Sequence, residues 1–350
     1  MYQVSPVALH EFTVAVLTAC DVPKDDAGIV ADTIVDAHRS GKGTHGVTRL
    51  PIYVRKIRSG LMDPRTPLSV VRDSPAIAVL DAHHGFGQVA ATRAMEKCVE
   101  KAKALGVGIV GVRHSNNFGV AGYFARQAAH DGYIGIVLGN SAPAIAPTGG
   151  TQPLLGTNPL AVAFPDGAGG VPIILDMATS EAARGKIRLA ARQGERIPEG
   201  WALDPSGRPT TDAAAALAGS MVPIGGPKGY GLSLVIDMLA GLLTGAGFAG
   251  QVKPLNHPDQ RSDYGHWVMA LDPEFFLDGQ SYASRVSTIV DAVHAASAPT
   301  RVWLPGERAH EARLHAEDTV LLSDAARRTL DELSREFGLT LEDSAAEDRP

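Results

Sequence analysis

The chain has 350 residues, of which 45% are hydrophobic and 20% are charged, a composition typical of a globular protein with a large apolar core. The net charge is −6 and no stretch concentrates lysine and arginine, which argues against binding to the phosphate backbone of nucleic acids. No window reaches the roughly 18 consecutive apolar residues of a membrane-spanning helix, and the first residues lack the pattern of a signal peptide. We therefore expect a cytoplasmic protein without membrane or nucleic-acid partners.

Helical patterns dominate the first part of the chain. Ser5 followed by Pro6 is typical of a helix start, and a second helix is predicted from residue 24 to residue 40. The segment Ser40–Gly46 then holds three glycines in seven residues, which predicts a loop that carries His45.

A third helix is predicted after this loop, from Thr48 to about Gly60. Thr48 can cap it because Pro51 would then lie in the first turn, where its missing N–H costs nothing. Arg49 and Tyr53 are four residues apart on that helix, so they share a face near its N-terminus. This face is a candidate cradle for a carboxylate.

The middle of the chain alternates between short strands and amphipathic helices. Several of the strands follow one another without a crossover helix, which favours a mixed or largely antiparallel sheet over a doubly wound parallel one. The predicted strands cover 76–81, 107–112, 134–139, 160–164, 172–176 and 265–272, and the predicted helices cover 87–105 and 118–131.

The segment 106–111 matches the spacing G-x-G-x-x-G of a Rossmann dinucleotide-binding loop. In a Rossmann unit these glycines leave a strand and open a helix, whose N-terminus then meets the pyrophosphate. Here they end a helix and lead into a strand, so Gly106 is predicted to be a helix C-cap. We interpret the match as structural.

The last third of the chain combines long loops with helices. Residues 193–212 are polar and rich in proline and glycine, which predicts a surface excursion. The segment 225–231 introduces an apolar helix, but a glycine follows Lys228 where a P-loop has serine or threonine. Ser323 is predicted to cap a final amphipathic helix.

Two cysteines, Cys20 and Cys98, lie in apolar, helix-like windows and are predicted to be reduced core thiols. His83 and His84 are adjacent, so they cannot easily bind one ion together, and no other set of residues has the spacing of metal ligands. We predict no metal site.

Several different short motifs, rich in glycine and polar residues, are spread over most of residues 5–340. In chain order they are T-H-G-V-T-R-L-P-x-Y (44–53), G-F-G-Q (85–88), V-R-x-S-N-x-F-G (112–119), A-P-x-G-G (146–150), G-T-N-P (156–159), L-D-M-A-T-S (175–180), R-G-K (184–186), K-G-Y-G (228–231) and L-P-G-E (304–307). This series resembles the malate/L-lactate/ureidoglycolate dehydrogenase family, whose members include sulfolactate and diketogulonate oxidoreductases and cyclic imino acid reductases.

The resemblance implies an α/β (α+β) fold, in which a non-Rossmann nicotinamide-binding domain with a mixed, largely antiparallel sheet lies beside a helical domain formed by both chain ends. We expect the helical domain over 1–75 with 310–342, a cofactor- and substrate-binding region of two lobes over 76–309, and a disordered tail over 343–350. The resemblance also implies a homodimer with shared active sites. The implied activity is that of an NAD(P)-dependent dehydrogenase acting on small 2-oxo or 2-hydroxy carboxylic acids of the malate, lactate or sulfolactate type.

Hydride transfer to a 2-oxo acid needs a proton donor at the carbonyl oxygen and a cation for the carboxylate. The resemblance points to His45 as the acid or base, with the Thr44 hydroxyl as a relay. Arg49 offers a planar guanidinium that can bind a carboxylate through two hydrogen bonds. The other residues expected to contact substrate are Tyr53, His114 and Thr157.

For the cofactor, either NAD or NADP with NAD favoured, the family pattern indicates several loops and one helix N-terminus. Lys228 begins a glycine-flanked helix, where its charge and free N–H groups can meet a pyrophosphate. The choice between NAD and NADP depends on where Arg184, Arg301 and Arg308 point. The residues expected to bind the cofactor are Asn117, Phe118, Gly119, Ser141, Asp176, Met177, Ala178, Lys228, Leu304, Pro305, Gly306, Glu307 and Arg308.

Two positions depart from the family pattern. Thr44 stands where serine is usual and keeps a hydroxyl. Asn117 stands where a second histidine is usual, and asparagine cannot exchange a proton near neutral pH. This leaves His45 as the acid or shifts that role to His114. Two alternatives stay open: a reductase of cyclic imino acids (pyrroline- or piperideine-2-carboxylate), whose imine needs less acid assistance, and a cofactor-binding protein with reduced turnover.

Overall fold

The helices of the computed structural model lie on both sides of a central sheet, and the model describes residues 2–296 and 300–341. The helices are α1 (Pro6–Thr18), α2 (Lys24–Arg39), α3 (Leu50–Arg58), α4 (Gly87–Leu105), α5 (Ala121–His130), α6 (Arg184–Gln193), α7 (Ala213–Ala218), α8 (Pro227–Asp237), α9 (Gly279–Ala295), α10 (Glu307–His315) and α11 (Asp324–Phe337). The strands are β1 (Tyr2–Val4), β2 (Ser69–Asp73), β3 (Ile77–Asp81), β4 (Val107–Ser115), β5 (Ile134–Gly139), β6 (Leu160–Phe164), β7 (Ile173–Met177), β8 (Ala202–Leu203), β9 (Pro209–Thr210), β10 (Ser220–Met221), β11 (Tyr264–Leu271) and β12 (Val320–Leu322).

The main sheet has seven strands in the order β2-β3-β4-β11-β5-β6-β7. Only β3 and β4, which are joined by the crossover helix α4, pair in parallel, and the other neighbours in this sheet are antiparallel. Strand β11 comes from the last third of the chain and pairs with β4 on one side and β5 on the other. The predicted mixed, largely antiparallel sheet is therefore confirmed.

The glycines of the segment 106–111 have structural roles, as the sequence predicted. Gly106 ends α4 with φ +77° and donates its N–H to the carbonyl of Ala102. A Cβ added to Gly108 would lie 2.1 Å from the carbonyl oxygen of Cys98, so only glycine lets β4 pack this closely on α4. The segment therefore does not form a Rossmann phosphate-binding loop.

Both ends of the chain contribute to one hydrophobic cluster. Side chains from α1, α2, α3 and α11, including Leu9, Ile34, Leu50 and Leu330, are fully or almost fully buried together. Strand β1 pairs with β12, which joins the two ends directly. The predicted caps form, because the Ser5 hydroxyl accepts from the N–H of Val7 and the Ser323 hydroxyl accepts from that of Ala326. The domain boundaries themselves remain a prediction.

Some elements differ from the sequence prediction. Helix α3 begins at Leu50 and not at Thr48, because residues 47–49 form a 3-10 turn and the Thr48 hydroxyl contacts the carbonyl of Gly43. Helix α5 begins at Ala121 and not at 118, since Gly119 has φ +88°. Strand β2 was not predicted, and it lies in the main sheet although the range 1–75 was assigned to the helical domain. The predicted disordered tail lies outside the described residues.

A separate, smaller hydrophobic cluster includes residues of the predicted surface excursion. Helices α6 and α7 pack over the three-stranded sheet β10-β8-β9, with Ile187, Ile197 and Met221 buried between them. The sequence analysis did not predict these elements, because strands of two residues leave no measurable periodicity. No helix in the described ranges combines the length and the apolar character needed to cross a membrane.

One carboxylate holds the helical cluster against the rest of the molecule. Asp36 on α2 accepts hydrogen bonds from Arg126 on α5 at 2.6 Å and from Arg313 on α10 at 2.8 Å. Burial alone would raise the pKa of Asp36, but the two guanidinium groups outweigh it and lower the pKa below its ordinary value. The ion triad therefore links segments that are distant in sequence.

We expect Asp36→Ala to lower the free energy of unfolding by about 3–5 kcal/mol, because two largely buried guanidinium groups would lose their carboxylate. Urea unfolding followed by circular dichroism measures this. Because folding lowers the pKa of Asp36, its contribution to the free energy of unfolding is fully present above the pKa that it has in the unfolded chain. That contribution is lost as the pH falls through the pKa that Asp36 has in the folded protein. The difference in free energy of unfolding between variant and parent should therefore become smaller below about pH 4.

Glu96→Ala is the control, because Glu96 pairs with Arg93 on the exposed face of α4 and its loss should change stability by less than about 1 kcal/mol. An Asp36 variant no less stable than this control would show that the triad does not hold the two parts together.

Candidate active site

The loop after α2 carries the predicted catalytic residues in two consecutive 3-10 turns, Gly43–His45 and Val47–Arg49. The hydroxyl of Thr44 lies 3.2 Å from Nδ1 of His45, and Nε of Arg49 donates to the carbonyl of Thr44 at 2.9 Å. The second bond fixes the Arg49 side chain beside the histidine and leaves its terminal nitrogens available. The predicted acid or base, relay and carboxylate-binding cation are thus brought together.

The half-buried His45 is surrounded by positive charge. Burial lowers its pKa to about 3, and the charges of Arg49 and Lys42 act in the same direction. The imidazole is therefore neutral at physiological pH and can accept a proton. An anion bound at Arg49 would offset the cationic field and raise the pKa again.

Lys42 joins this loop to the main sheet. Its ammonium group forms an ion pair with the carboxylate of Asp176 at the end of β7. On the other side, the start of α6 packs closely on the loop. A Cβ added to Gly185 would lie only 3.2 Å from the Thr44 methyl group. The loop is therefore held between β7 and α6, next to residues that the sequence analysis expected to bind cofactor.

A second histidine, which the sequence analysis missed, lies beneath the loop. Nδ1 of His38 accepts from the N–H of Val47 at 3.3 Å, and burial lowers the pKa of His38 to about 4, so the ring is neutral. A Cβ on Gly46 would lie 1.8 Å from this nitrogen, and one on Gly43 would lie 3.2 Å from Nε2. The three-glycine pattern around His45 was the available signal, since two of these glycines wrap the loop around the His38 ring.

Tyr53 does not line this site, contrary to the prediction that it shares a ligand-binding face with Arg49. Its side chain is fully buried, packs edge-on against Phe86 with ring centroids 5.6 Å apart, and accepts a hydrogen bond from Gln88 at 2.7 Å. Because the helix begins at Leu50, Arg49 precedes its first turn and is half-buried, whereas Tyr53 is enclosed in the core. Tyr53 has a packing role.

His114 lies in a separate polar cluster. Its Nδ1 is 2.9 Å from the carboxylate of Asp81, which also accepts from Arg113, and its φ is +49°. Its ring stacks near that of His84, with centroids 5.4 Å apart. This arrangement does not support His114 as a replacement for His45.

Asn117 and Phe118 support the local structure next to α5. The side-chain oxygen of Asn117 accepts from the N–H of Gly119 at 3.1 Å and so stabilises the turn before the helix. Phe118 is buried and its ring lies 4.6 Å from that of His266, whose Nε2 is hydrogen-bonded to Ser115. The side chain of Phe118 is thus in the core, and only the backbone of this residue is available to a ligand. The His266 side chain is fully buried.

Thr157 and Ser141 meet although they come from different loops. The Ser141 hydroxyl accepts from the N–H of Thr157 at 3.0 Å, and the N–H of Ser141 donates to the buried side chain of Asn158. Asn158 in turn donates to the carbonyl of Ser233 on α8. This network attaches the two loops to α8.

The remaining predicted cofactor residues gather at the β7 edge. The N–H of Ile174 donates to the carbonyl of Pro305, and Gly306, with φ +94°, packs against Ile174. The carboxylate of Glu307 accepts a hydrogen bond from the N–H of Leu304 at 2.8 Å, so it is already bound within its own loop. A cleft of about 250 Å³ opens beside this segment, and Asp176, Met177 and Ala178 follow at the end of the strand.

Lys228 lies in the first turn of α8, where Gly225 and Gly226 both have positive φ and no side chain caps the helix. The lysine side chain is exposed. The free N–H groups and the ammonium group fit a pyrophosphate. Within residues 2–296 and 300–341, no group of three histidine, cysteine or acidic side chains could hold a metal ion.

Gly46→Ala should destabilise the protein by about 1–3 kcal/mol, because the added Cβ overlaps the His38 ring and the loop must shift. Gly28→Ala in α2 is the matched control: nothing lies within 4 Å of its added Cβ, so stability should rise by about 0.5–1 kcal/mol. Thermal unfolding compares the two. Equal stability of the Gly46 variant and the parent would contradict the packing of this loop on His38.

Comparisons with known proteins agree with this architecture. The family model described as malate/L-lactate dehydrogenase matches residues 4–330. The L-sulfolactate dehydrogenase of Methanocaldococcus jannaschii is 40% identical over 94% of this chain and 95% of its own. The Delta(1)-pyrroline-2-carboxylate reductase of Ancylobacter novellus is 36% identical over 89% of this chain and 91% of its own.

The structure of sulfolactate dehydrogenase from Methanocaldococcus jannaschii superimposes with a TM-score of 0.90 at 38% identity and covers 97% of this chain and 98% of that one. The chain thus belongs to the malate/L-lactate dehydrogenase family of oxidoreductases.

Proposed function

We propose that this protein transfers hydride between NAD(P) and a small 2-oxo or 2-hydroxy carboxylic acid, with His45 as the acid or base. The observation that carries the proposal is the position of His45. It contacts Thr44, lies beside Arg49 and is held at the β7 edge by the ion pair of Lys42 with Asp176. A proton-transfer group and a carboxylate-binding cation are thus adjacent.

Arg49 binds the substrate carboxylate through its terminal nitrogens, because its Nε already donates to Thr44. In the oxidation direction the neutral His45 accepts the proton of the substrate hydroxyl. In the reduction direction the bound carboxylate offsets the charges of Arg49 and Lys42, so the pKa of His45 rises and the ring can donate a proton to the carbonyl oxygen. The Thr44 hydroxyl orients the ring through Nδ1.

The described residues fit a dinucleotide cofactor. Lys228 and the uncapped start of α8 would hold the pyrophosphate, and the backbone of the segments 117–119, 176–178 and 304–308, together with Ser141, would line the rest of the groove. Thr157, next to Ser141, would contact the substrate. A bound nicotinamide supplies or accepts the hydride.

NAD is favoured over NADP, because the candidate arginines for a 2′-phosphate are already engaged. Arg184 donates to the carbonyls of Pro143 and Leu217. Arg301 pairs with Glu311 and lies 3.9 Å above the Trp303 ring, and Arg308 lies on the same ring at 5.5 Å. A 2′-phosphate would have to displace the hydrogen bonds of Arg184 or the ion pair of Arg301.

A cyclic imino acid is the second candidate substrate. Asn117 uses its oxygen to hold the N–H of Gly119 and cannot serve as a second acid. An imine that binds already protonated needs less acid assistance than a carbonyl, and the related reductase of Ancylobacter novellus is named for such a substrate. An assay with both 2-oxo acids and cyclic imines distinguishes these two candidate substrate classes.

The assembly that we propose is a homodimer in the cytoplasm. Helix α8 and the turn after it expose Val235, Met238, Leu242 and Leu243, with exposed fractions of 50%, 49%, 49% and 63%. Such a contiguous apolar face is typical of an interface. Two buried cysteine thiols without a disulfide are consistent with a reducing compartment.

NADH and NADPH oxidation at 340 nm should be measured with pyruvate, oxaloacetate, sulfopyruvate, 2,3-diketogulonate and the cyclic imines of proline and pipecolate. We expect turnover of at least one acid, and a fall of roughly 10²- to 10⁴-fold in kcat for His45→Gln, because the proton-transfer group is lost. His315→Ala, at an exposed position on α10, is the control and should keep full activity. Cofactor binding without any turnover would favour the binding-protein alternative.

Met238→Glu should convert the dimer into monomers, because a charge would be buried in the apolar face of α8. Sedimentation velocity of parent and variant measures the mass of each assembly and so distinguishes dimer from monomer. Val7→Glu places the same charge on an exposed valine of α1 and should leave the dimer intact. A parent that sediments as a monomer, or a Met238 variant that stays dimeric, would contradict the proposed interface.

A further inference from the structure

The catalytic loop changes direction between its two 3-10 turns. A continuous 3-10 helix pairs each N–H with the carbonyl three residues earlier, which would join the N–H of Val47 to the carbonyl of Thr44. Gly46 interrupts the helix with φ −92° and ψ −144°, and the N–H of Val47 donates to Nδ1 of His38 at 3.3 Å. The histidine thus takes the place of a backbone acceptor.

The carbonyl of Thr44 has a different partner. It accepts from Nε of Arg49 at 2.9 Å, so the acceptor that a continuous helix would give to Val47 holds the guanidinium group. The hydroxyl of the same threonine lies 3.2 Å from Nδ1 of His45. The conformation of Thr44 therefore sets the position of Arg49 relative to the imidazole of His45.

The position and the protonation state of His38 both suit an acceptor. A Cβ on Gly46 would lie 1.8 Å from Nδ1 and one on Gly43 would lie 3.2 Å from Nε2, so the loop is folded closely around the ring. Burial lowers the pKa of His38 to about 4, although a hydrogen bond to the backbone of Ile34 acts against it. A neutral imidazole keeps one nitrogen as an acceptor, whereas an imidazolium has none. The ring can therefore accept a hydrogen bond at neutral pH.

We propose that His38 is a positioning residue for the reaction, because it draws the N–H of Val47 away from the carbonyl of Thr44. That carbonyl is thereby kept for Arg49. This proposal rests on the proposed function, in which Arg49 binds the substrate carboxylate and His45 transfers the proton. Without the imidazole acceptor, the buried N–H of Val47 would turn to the Thr44 carbonyl, because an unpaired buried donor is costly. Arg49 would then lose the bond that fixes it beside His45.

The kinetic test compares the parent with His38→Leu and His38→Asn on the acid that the parent turns over best. His38→Leu removes the acceptor, and we expect kcat/KM for the acid to fall by about 10-fold or more, mainly through KM, because the carboxylate-binding arginine is no longer fixed. The KM of the cofactor should change by less than about 2-fold. His38→Asn should restore kcat/KM to within about 3-fold of the parent, because its side-chain oxygen can accept in place of Nδ1.

Ile34→Val is the matched control for lost packing. Ile34 is buried in the same helix one turn before His38, and loss of its methyl group should lower the thermal stability but change kcat/KM by less than about 2-fold. The rescue by asparagine is the decisive kinetic result, because asparagine is smaller than leucine and cannot restore the packing of the ring. Equal kinetic losses in the two His38 variants, or a loss that extends to the KM of the cofactor, overturn the positioning role while the proposed function stands.

A second measurement does not require turnover. Long-range ¹H–¹⁵N correlation spectra of the histidine side chains show which ring nitrogen carries the proton, and the signal of His38 is the one that disappears in either variant. We expect Nδ1 of His38 to be unprotonated at pH 7, which supports the proposal even if no acid of the panel is reduced. A proton on Nδ1 would leave no acceptor for the N–H of Val47 and would overturn the proposal even in an active enzyme.

Discussion

The ion pair between Lys42 and Asp176 is the contact on which the site depends. Lys42 lies three residues before His45, and Asp176 ends the last strand of the main sheet, so the pair holds the catalytic loop against the edge where a dinucleotide would bind. Val47 anchors the loop in the hydrophobic cluster that both chain ends form. Gly185 against Thr44 and the His38 ring beneath Gly46 complete its support.

Positive charge around a neutral imidazole determines the chemistry of this loop. Burial lowers the pKa of His45 most, and the charges of Arg49 and Lys42 lower it further, so the ring of the unliganded protein is unprotonated. In the proposed mechanism a carboxylate at Arg49 would offset the positive charge, which would couple the protonation of His45 to the presence of substrate.

The sheet positions these parts through its unusual connectivity. Strand β11 lies between β4 and β5, although it follows β7 in the chain. The chain therefore leaves the sheet after β7 and returns to its middle with β11. Its C-terminal helix then packs with the N-terminal helices. The triad of Asp36 with Arg126 and Arg313 then ties those helices to α5 and α10. The catalytic loop leaves the same helix that carries Asp36, so the triad and the Lys42 ion pair support one another.

The sequence by itself determined the largely antiparallel sheet, the helix caps at Ser5 and Ser323, the structural role of Gly106 and the glycine-rich loop that carries Thr44 and His45. These features are local, since periodicity and turn residues act over a few positions. Only the tertiary structure decided that Tyr53 is buried in the core, that His114 pairs with Asp81, and that His38 lies beneath the loop of His45. Those outcomes depend on side chains brought together from distant segments, and amino-acid spacing contains no information about which distant partner a side chain will meet.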